Sequence, residues 1–266
     1  MDYQHIEIRK DGPIATLTLN RPEKLNALNR RIMQEIIHAA RSFGTDTETR
    51  VVIFSGAGKH FCAGADLSAG DAEDERPDVS TRLKLRRSLS LGADLVSAIY
   101  GMDQITIAAI HGAALGGGAC MVTACDFRIG AEGSFCGYPE VNRGMNLQWV
   151  GLPLCVHLIG PSRAKRMIAL GRNEDAATLL DWGFYDEVVP RDELLERAMA
   201  MARDYADQPP IAAQMIKQSV NAVVSALDRS IMHMDRDQWM LTAGTDDYRE
   251  GIKAFFEKRK PEFKGN

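Results

Sequence analysis

The chain has 266 residues, of which 45% are hydrophobic and 26% are charged, close to the composition of ordinary globular domains. Its formal net charge is −4, and no segment concentrates lysine and arginine as nucleic-acid-binding proteins do. No window is long and apolar enough to span a membrane, and five cysteines without a CxxC pair are typical of reduced thiols. We therefore expect a folded cytoplasmic protein with no nucleic-acid partner, no membrane insertion and no metal.

The first predicted elements are a β-hairpin and an amphipathic helix. Apolar and polar residues alternate over residues 6–19 around an Asp11-Gly12 turn, the pattern of two short antiparallel strands. Asn29 is a typical helix cap, and the apolar residues at 32–40 then recur with helical spacing. We therefore predict a hairpin followed by one helix.

Three short apolar segments, residues 51–54, 105–110 and 127–131, predict buried strands of a parallel sheet. A polar and acidic segment at 68–80 is a candidate lid, and helical spacing returns over residues 83–100 as one long helix. Strands that alternate with helices in this way predict an α/β fold built from successive turns of similar construction.

The last part of the chain is predicted to be helical. Strands cease after Pro190, and residues 194–258 have the pattern of three or four helices interrupted by Pro209-Pro210 and Gly244. No low-complexity tract separates the two parts, so the boundary near residue 195 is a change in secondary structure rather than a flexible linker. We expect one domain with a helical extension.

Two predicted strands end in glycine-rich loops, SGAGKHFCAGADL at residues 55–67 and IHGAALGGGACMVTACD at residues 110–126. Glycine lets the backbone approach a ligand closely, and a helix that starts after such a loop offers free N–H groups and a positive dipole end. Both loops are therefore candidate oxyanion sites. For either loop alone, the alternative is that its glycines only form tight turns. No Gly-Lys-Ser or Gly-Lys-Thr and no early GxGxxG occurs, which leaves an NAD-dependent dehydrogenase as a weak alternative.

Five segments spread over almost the whole chain resemble the crotonase (enoyl-CoA hydratase/isomerase) superfamily: RPEKLNAL (21–28), FCAGADL (61–67), HGAALGGG (111–118), YPE (138–140) and the C-terminal EGIKAFFEKRKPEFKG. The resemblance implies an α/β fold with a crotonase-like spiral of ββα turns over residues 1–195, which holds the acyl-CoA site. It implies a C-terminal helical trimerisation region over residues 196–266 and a homotrimer or homohexamer. It also implies an acyl-CoA substrate and no cofactor beyond the coenzyme A moiety of that substrate.

The resemblance assigns three residues to catalysis. The backbone N–H groups of Ala65 and Gly117 match the two donors that the superfamily aims at the thioester oxygen. Donors preset at an enolate oxygen typically lower the barrier by about 3–4 kcal/mol each. Glu140 matches the glutamate that carries protons in most hydratases and isomerases of the superfamily, and a solvated helix cap is the alternative for it.

One departure from the hydratase pattern is Cys120, which stands where hydratases of the superfamily usually carry a second glutamate. A thiol is a poor substitute for a carboxylate at neutral pH, and for Cys120 packing is favoured over covalent catalysis. Because one carboxylate suffices to move a proton between two carbons, double-bond isomerisation is slightly favoured over hydration. Hydration would need a non-standard second acid, for example from the acidic segment: Asp71, Glu73, Asp74, Glu75 or Asp78.

The resemblance further places six residues by coenzyme A: Lys24, Ala63, Asp66, Leu67, Phe255 and Lys258. Phe255 and Lys258 match positions that reach the nucleotide, often from a neighbouring subunit, and a solvated basic helix end is the alternative. Met145, Gln148 and Trp149 are as compatible with core packing as with a wall of the acyl pocket.

Two functions remain open from the sequence. One is an enzyme that acts through a CoA-thioester enolate, by isomerisation or hydration, and the other is a catalytically silent acyl-CoA-binding scaffold. The presence of Glu140 together with both glycine-rich loops favours the enzyme. The segment expected to line the acyl pocket, residues 68–91, follows no pattern that indicates the acyl group.

Overall fold

The computed structural model describes residues 2–67 and 79–266, so residues 68–78 of the predicted lid, with the acids proposed within 71–78, lie outside the described residues. The strands of these ranges are β1 (Ile6–Asp11), β2 (Ile14–Leu19), β3 (Val51–Gly56), β4 (Ile105–Ile110), β5 (Ala113–Leu115), β6 (Phe127–Ala131), β7 (Phe135–Gly137), β8 (Asn173–Asp175) and β9 (Glu187–Val189). The helices are α1 (Arg30–Ser42), α2 (Arg82–Ser88), α3 (Ser90–Tyr100), α4 (Gly117–Ala124), α5 (Gly151–Ala169), α6 (Ala176–Asp181), α7 (Leu194–Ala206), α8 (Pro210–Val224), α9 (Arg229–Met232), α10 (Asp235–Ala243) and α11 (Asp246–Glu257).

A six-stranded sheet in the order β1-β2-β3-β4-β6-β9 forms the centre of the molecule. Only β1 and β2 pair antiparallel, as the predicted hairpin, and every other neighbouring pair in this sheet is parallel. The predicted cap is also present, because the Asn29 side chain accepts a 3.0 Å hydrogen bond from the backbone N–H of Ile32. The predicted α/β class is therefore confirmed.

The chain repeats one unit as it winds along this sheet. β4 and β6 lie in the large sheet, and each is followed by a short strand, β5 or β7, in a second sheet of order β5-β7-β8. After β3 the chain makes a similar single contact, a parallel bridge between Cys62 and Ala114 of β5. Because the short strands follow the long ones directly, the loops after β3, β4 and β6 converge along the second sheet.

Two predictions about helices were wrong. The pattern over residues 83–100 forms two helices, α2 and α3, which meet at Leu89, and the Ser88 hydroxyl there bonds back to the Leu85 carbonyl. Beyond Pro190 the described chain forms five helices, α7 to α11, rather than three or four. Two breaks were not predicted, one after α8 and one between α9 and α10. After α8 the Ser225 hydroxyl donates to the Asn221 carbonyl, a local bond that competes with the helix ladder.

Hydrophobic clusters cover both faces of the large sheet. Successive strand residues point to opposite faces, so Val52 and Phe54 join the larger cluster whereas Val51 and Ile53 join the other. Helix α7 closes this second face with apolar residues between Leu194 and Ala206. The cluster thus joins residues from both sides of the predicted boundary at residue 195.

The C-terminal helices lie over the loops that follow the strands. Helix α11 packs against a 3-10 helix, Pro139–Arg143, which we call the Glu140 helix, and Gly251 lies directly against the Arg143 backbone. Helix α10 is tied to α2 by a 2.6 Å ion pair between Arg86 and Asp237. These contacts bring side chains from α10 and α11 to the cavity described next.

Candidate active site

The first glycine-rich loop presents the backbone of Ala65 to a cavity. Leu28 is hydrogen-bonded to the residues on both sides of Ala65. The Leu28 N–H donates to the Gly64 carbonyl at 2.8 Å, and the Leu28 carbonyl accepts from the Asp66 N–H at 3.1 Å. In such a parallel bridge the N–H of the middle residue points away from the partner strand. The Ala65 N–H accordingly has no acceptor among the described residues.

The second loop presents Gly117 in a similar way. Gly116 has φ +53°, a conformation that favours glycine, and its N–H bonds to the Gly137 carbonyl at 2.9 Å. Gly117 follows as the first residue of α4, where a helix has backbone N–H groups without intrahelical acceptors. In the described part of the chain nothing accepts a hydrogen bond from the Gly117 N–H, which lies at the positive end of the α4 dipole.

The two loops are in direct contact. The Leu115 N–H donates to the Cys62 carbonyl at 3.0 Å, and a Cβ on Gly64 would lie 2.7 Å from the Leu115 carbonyl oxygen. Glycine at position 64, with φ +96°, is therefore required for this approach. Ala65 and Gly117 line one cavity of about 150 Å³ as a result.

Glu140 reaches the same cavity from the second sheet. Gly137 at the end of β7 pairs with Leu115 at the end of β5, so the Glu140 helix begins beside Gly116. A Cβ on Gly116 would lie 2.7 Å from Glu140 Oε1, so a larger residue there would displace the carboxyl group. The other carboxyl oxygen, Oε2, is buried and has no hydrogen-bond partner within the described ranges.

Burial raises the pKa of Glu140 to about 7, against smaller lowering effects of its own backbone N–H and of the Arg143 cation. A pKa near the working pH lets one carboxyl group both take and return a proton. The alternative of a solvated helix cap fails, because Oε2 is buried and the carboxyl faces the cavity.

Cys120 also lines the cavity, one turn after Gly117 on α4. It is buried, its thiol points at the Gln148 carbonyl at 3.8 Å, and a Cβ on Gly151 would lie 2.6 Å from its sulfur. Burial raises the pKa of the Cys120 thiol well above its ordinary value, so the thiolate is disfavoured. These contacts are those of a packing residue rather than of a nucleophile.

The residues predicted to contact coenzyme A fall into two groups. Ala63 and Leu67 line the cavity, whereas the other four do not: Lys24, Asp66, Phe255 and Lys258. Lys24 is exposed, and Lys258 is exposed at the end of α11. Asp66 pairs with Arg21 at 3.3 Å in a largely buried contact, and Phe255 lies 4.3 Å from the Arg143 guanidinium. The coenzyme A contacts therefore stay a prediction.

Several cavity residues have no signal in the sequence motifs. Trp239 and Tyr248 come from α10 and α11, and Arg143 ends the Glu140 helix. Their positions depend on how the C-terminal helices fold back, which local spacing does not reveal. Arg143 is a partial exception, because it follows Glu140 by three residues and side chains three apart on a 3-10 helix lie on the same side. Its spacing from Glu140 could therefore have placed it near the cavity.

Trp149 forms a wall of the cavity. Its indole ring occupies the space where a Cβ on Gly117 or on Gly92 of α3 would lie, so both positions need glycine. Trp149 and Val150 have φ of 65° and 61°, and the buried Asp235 carboxylate accepts a 2.9 Å hydrogen bond from the Trp149 N–H. No sequence motif pointed to Asp235, although its carboxylate fixes the turn that orients the indole ring.

Within 2–67 and 79–266, no group of three or more His, Cys, Asp or Glu side chains is arranged to hold a metal ion. His111 is buried against the first loop, and burial lowers its pKa to about 4. No described helix combines the length and apolarity of a membrane span.

The whole chain is similar to known proteins. A sequence-family model described as enoyl-CoA hydratase/isomerase matches residues 9–266. A probable enoyl-CoA hydratase from Mycobacterium tuberculosis is 34% identical in an alignment 267 residues long that covers 99% of each chain. Among solved structures, a carnitinyl-CoA hydratase from Mycobacterium avium has a TM-score of 0.86 and 29% identity, with 99% of each chain covered. A monofunctional enoyl-CoA isomerase from M. smegmatis has a TM-score of 0.70 and 28% identity over 83% of this chain and 94% of that one.

These matches extend over the core and the C-terminal helices alike. They confirm the predicted crotonase fold and the superfamily to which the sequence motifs pointed. The chain belongs to the enoyl-CoA hydratase/isomerase family.

Proposed function

We propose that this protein isomerises the double bond of an enoyl-CoA, with Glu140 as the single acid-base group and the N–H groups of Ala65 and Gly117 as the oxyanion site. The observation that carries the proposal is the composition of the cavity. Among the described residues that line it, Glu140 is the one carboxylate, and its Oε2 lacks a partner.

The proposed reaction starts from a 3-enoyl-CoA whose thioester oxygen accepts hydrogen bonds from Ala65 and Gly117. The Glu140 carboxylate removes a proton from C2, and the electron pair spreads onto the thioester oxygen as a dienolate. The protonated Glu140 then returns the proton to C4, which leaves the double bond between C2 and C3. Each preset N–H donor is worth about 3–4 kcal/mol of barrier, and the α4 dipole adds to the second.

Hydration of a 2-enoyl-CoA is the second candidate, favoured by the names of relatives such as the probable enoyl-CoA hydratase from Mycobacterium tuberculosis. It needs a group that orients water opposite Glu140. Asp235 is a described carboxylate that could be considered for this role. However, it accepts a hydrogen bond from the N–H of Trp149, a wall residue, and does not itself line the cavity. For this reason isomerisation stands ahead of hydration.

The proposal includes coenzyme A as the carrier of the substrate, bound along Lys24, Ala63, Asp66, Leu67, Phe255 and Lys258. It also includes a homotrimer or homohexamer and a cytoplasmic location. Support for the assembly comes from α8, which exposes a row of apolar side chains.

The test is to incubate the protein separately with a 3-enoyl-CoA and a 2-enoyl-CoA of the same chain length. Isomerisation predicts that the 3-enoyl thioester gains conjugated absorbance without a change in mass. Addition of the mass of water to the 2-enoyl thioester would establish hydration instead. Tight binding of both thioesters without conversion would leave the acyl-CoA-binding scaffold as the function.

A further inference from the structure

The cavity contains a partly buried cation that the proposed mechanism does not use. Polar atoms of Glu140, Arg143 and Gln148 are buried there without a hydrogen-bond partner in the described part of the chain. Glu140 has its role in proton transfer. Arg143 Nε is left as an unmatched donor at the edge of the same space.

Arg143 differs from the other buried arginines of this protein. Arg21 bonds to the Asp66 carboxylate and to the Ala27 carbonyl, and Arg128 bonds to Asp186 and to backbone carbonyls. Arg143 has no hydrogen bond or ion pair with any described residue, and its guanidinium centre lies 4.3 Å from the Phe255 ring centroid. Burial lowers its pKa, but an arginine stays charged in proteins.

A partly buried cation without a partner is costly, and such groups normally pair with an anion. The guanidinium has a fork of donors that fits a carboxylate, and the stacked Phe255 ring leaves the edge of the fork free for a ligand. Glu140 does not fill this role, because no ion pair joins the two side chains although both belong to the Glu140 helix.

The cavity that Ala65 and Gly117 line is small, and Arg143 lines it too. The described walls enclose about 150 Å³, and an apolar cavity of about this volume holds a molecule of the size of benzene. Trp149, held by Asp235, closes the side next to Gly117. An acyl chain that starts at the oxyanion site therefore shares this small cavity with Arg143.

We infer that Arg143 binds a carboxylate at the far end of a short acyl chain, so that the substrate is the CoA thioester of an unsaturated dicarboxylic acid. The inference rests on the proposed function, because it takes the thioester to lie at Ala65 and Gly117. A phosphate of coenzyme A offers the same anionic chemistry to Arg143. The experiment separates the two sources of the anion.

The test compares binding of glutaryl-CoA and pentanoyl-CoA by isothermal titration calorimetry, because these thioesters have equal carbon number and no double bond. The wild-type protein is expected to bind glutaryl-CoA at least about tenfold more tightly, the effect of a charge-assisted hydrogen bond. In Arg143→Met, and in Arg143→Gln as a second neutral variant, the ratio of the two dissociation constants falls to about one. Arg163→Met is the matched control, since Arg163 also lies over an aromatic ring but outside the cavity, and it keeps the wild-type ratio.

A wild-type ratio of one or less overturns the inference, as does a preference that survives in both Arg143 variants. Equal weakening of both thioesters and of free coenzyme A in these variants would mean that Arg143 binds a phosphate. Failure of the proposed function has a different signature, since binding selectivity would persist while no enoyl-CoA is converted.

Discussion

The chemistry of the site centres on one carboxyl group whose surroundings favour its neutral form. Glu140 faces a small cavity, one of its oxygens contacts Gly116, and the other has no described partner. Because burial rather than a neighbouring negative charge raises its pKa to about 7, both protonation states are populated near neutral pH. A single group in this condition can act as base and then as acid.

Isomerisation should therefore depend on pH through Glu140. The reaction starts with the carboxylate form, so kcat/KM for a 3-enoyl-CoA is expected to rise with pH and to level off above about 7. A pH–rate profile between about pH 5 and pH 9 measures this. A profile that is flat through pH 7 would show that another group removes the proton.

The same raised pKa makes a prediction for folding. Glu140 has a pKa of about 7 when folded and 4.5 as its ordinary value, so the folded protein holds the proton more tightly. Its contribution to stability is complete below pH 4.5 and is lost as the pH rises through about 7. Above that pH, Glu140→Gln should exceed the wild type in free energy of unfolding by at most about 3 kcal/mol.

Urea unfolding of both proteins at about pH 5 and pH 8 measures this difference. Glu132→Gln, on an exposed turn, serves as control and should change stability by less than about 0.5 kcal/mol at either pH. Equal stability of Glu140→Gln and wild type at the higher pH would contradict a destabilised carboxylate.

Some residues of the site were predictable from the sequence and others were not. Ala65, Gly117 and Glu140 belong to motifs whose neighbours along the chain are also their neighbours in space, and the structure brings all three to one cavity. Arg143 and Asp235 carry no such motif, because their roles depend on contacts with α11 and with the Trp149 turn.

At the level of elements, the two glycine-rich loops act as one unit. The backbone of one loop lies against that of the other, and the Glu140 helix follows β7, the strand that pairs with β5. The parallel strands behind these loops were predictable, because short apolar runs with β-branched residues indicate buried strands. The breaks after α2 and α8 were not, because no proline or glycine marks either of them.

A substitution in the second loop tests this arrangement. Gly116→Ala places a Cβ 2.7 Å from Glu140 Oε1 at φ +53°, so the carboxyl must move. We expect kcat for isomerisation to fall at least about tenfold, because small displacements of catalytic groups cost large factors in rate. Steady-state kinetics with a 3-enoyl-CoA measures the effect.

Gly133→Ala is the control for backbone strain. Gly133 has φ +74° but no atom within 4 Å of an added Cβ. Both variants should lose roughly 1–2 kcal/mol of stability, the cost of alanine in a left-handed conformation. Only Gly116→Ala should lose activity, and an equal loss in both variants would mean that strain rather than the position of Glu140 is responsible.

At the level of the whole molecule, α8 presents an apolar surface to solvent. Lys217 anchors this helix through a 2.7 Å ion pair with Asp126 and a 2.6 Å bond to the Gln104 carbonyl. On the outer side Val220 and Val223 are 54% and 78% exposed, within a row of apolar residues at helical spacing. Surfaces of this kind on soluble proteins usually pack against another chain.

The predicted homotrimer or homohexamer can be tested on this surface. Val220→Asp together with Val223→Asp places two charges in the middle of the row, and a buried unpaired charge strongly disfavours association. Sedimentation equilibrium should show a trimer or hexamer for the wild type and a monomer for the double variant. A monomeric wild type, or an unchanged assembly in the variant, would exclude α8 as the interface.

In the proposed reaction one carboxyl group, Glu140, carries the proton. The most direct measurement is the turnover number of Glu140→Gln with a saturating 3-enoyl-CoA at about pH 8, with substrate binding measured in parallel. We expect a fall of at least about 100-fold, the typical contribution of a general base, with little change in binding. A fall of less than about tenfold with binding intact would contradict it, because another group would then carry the proton.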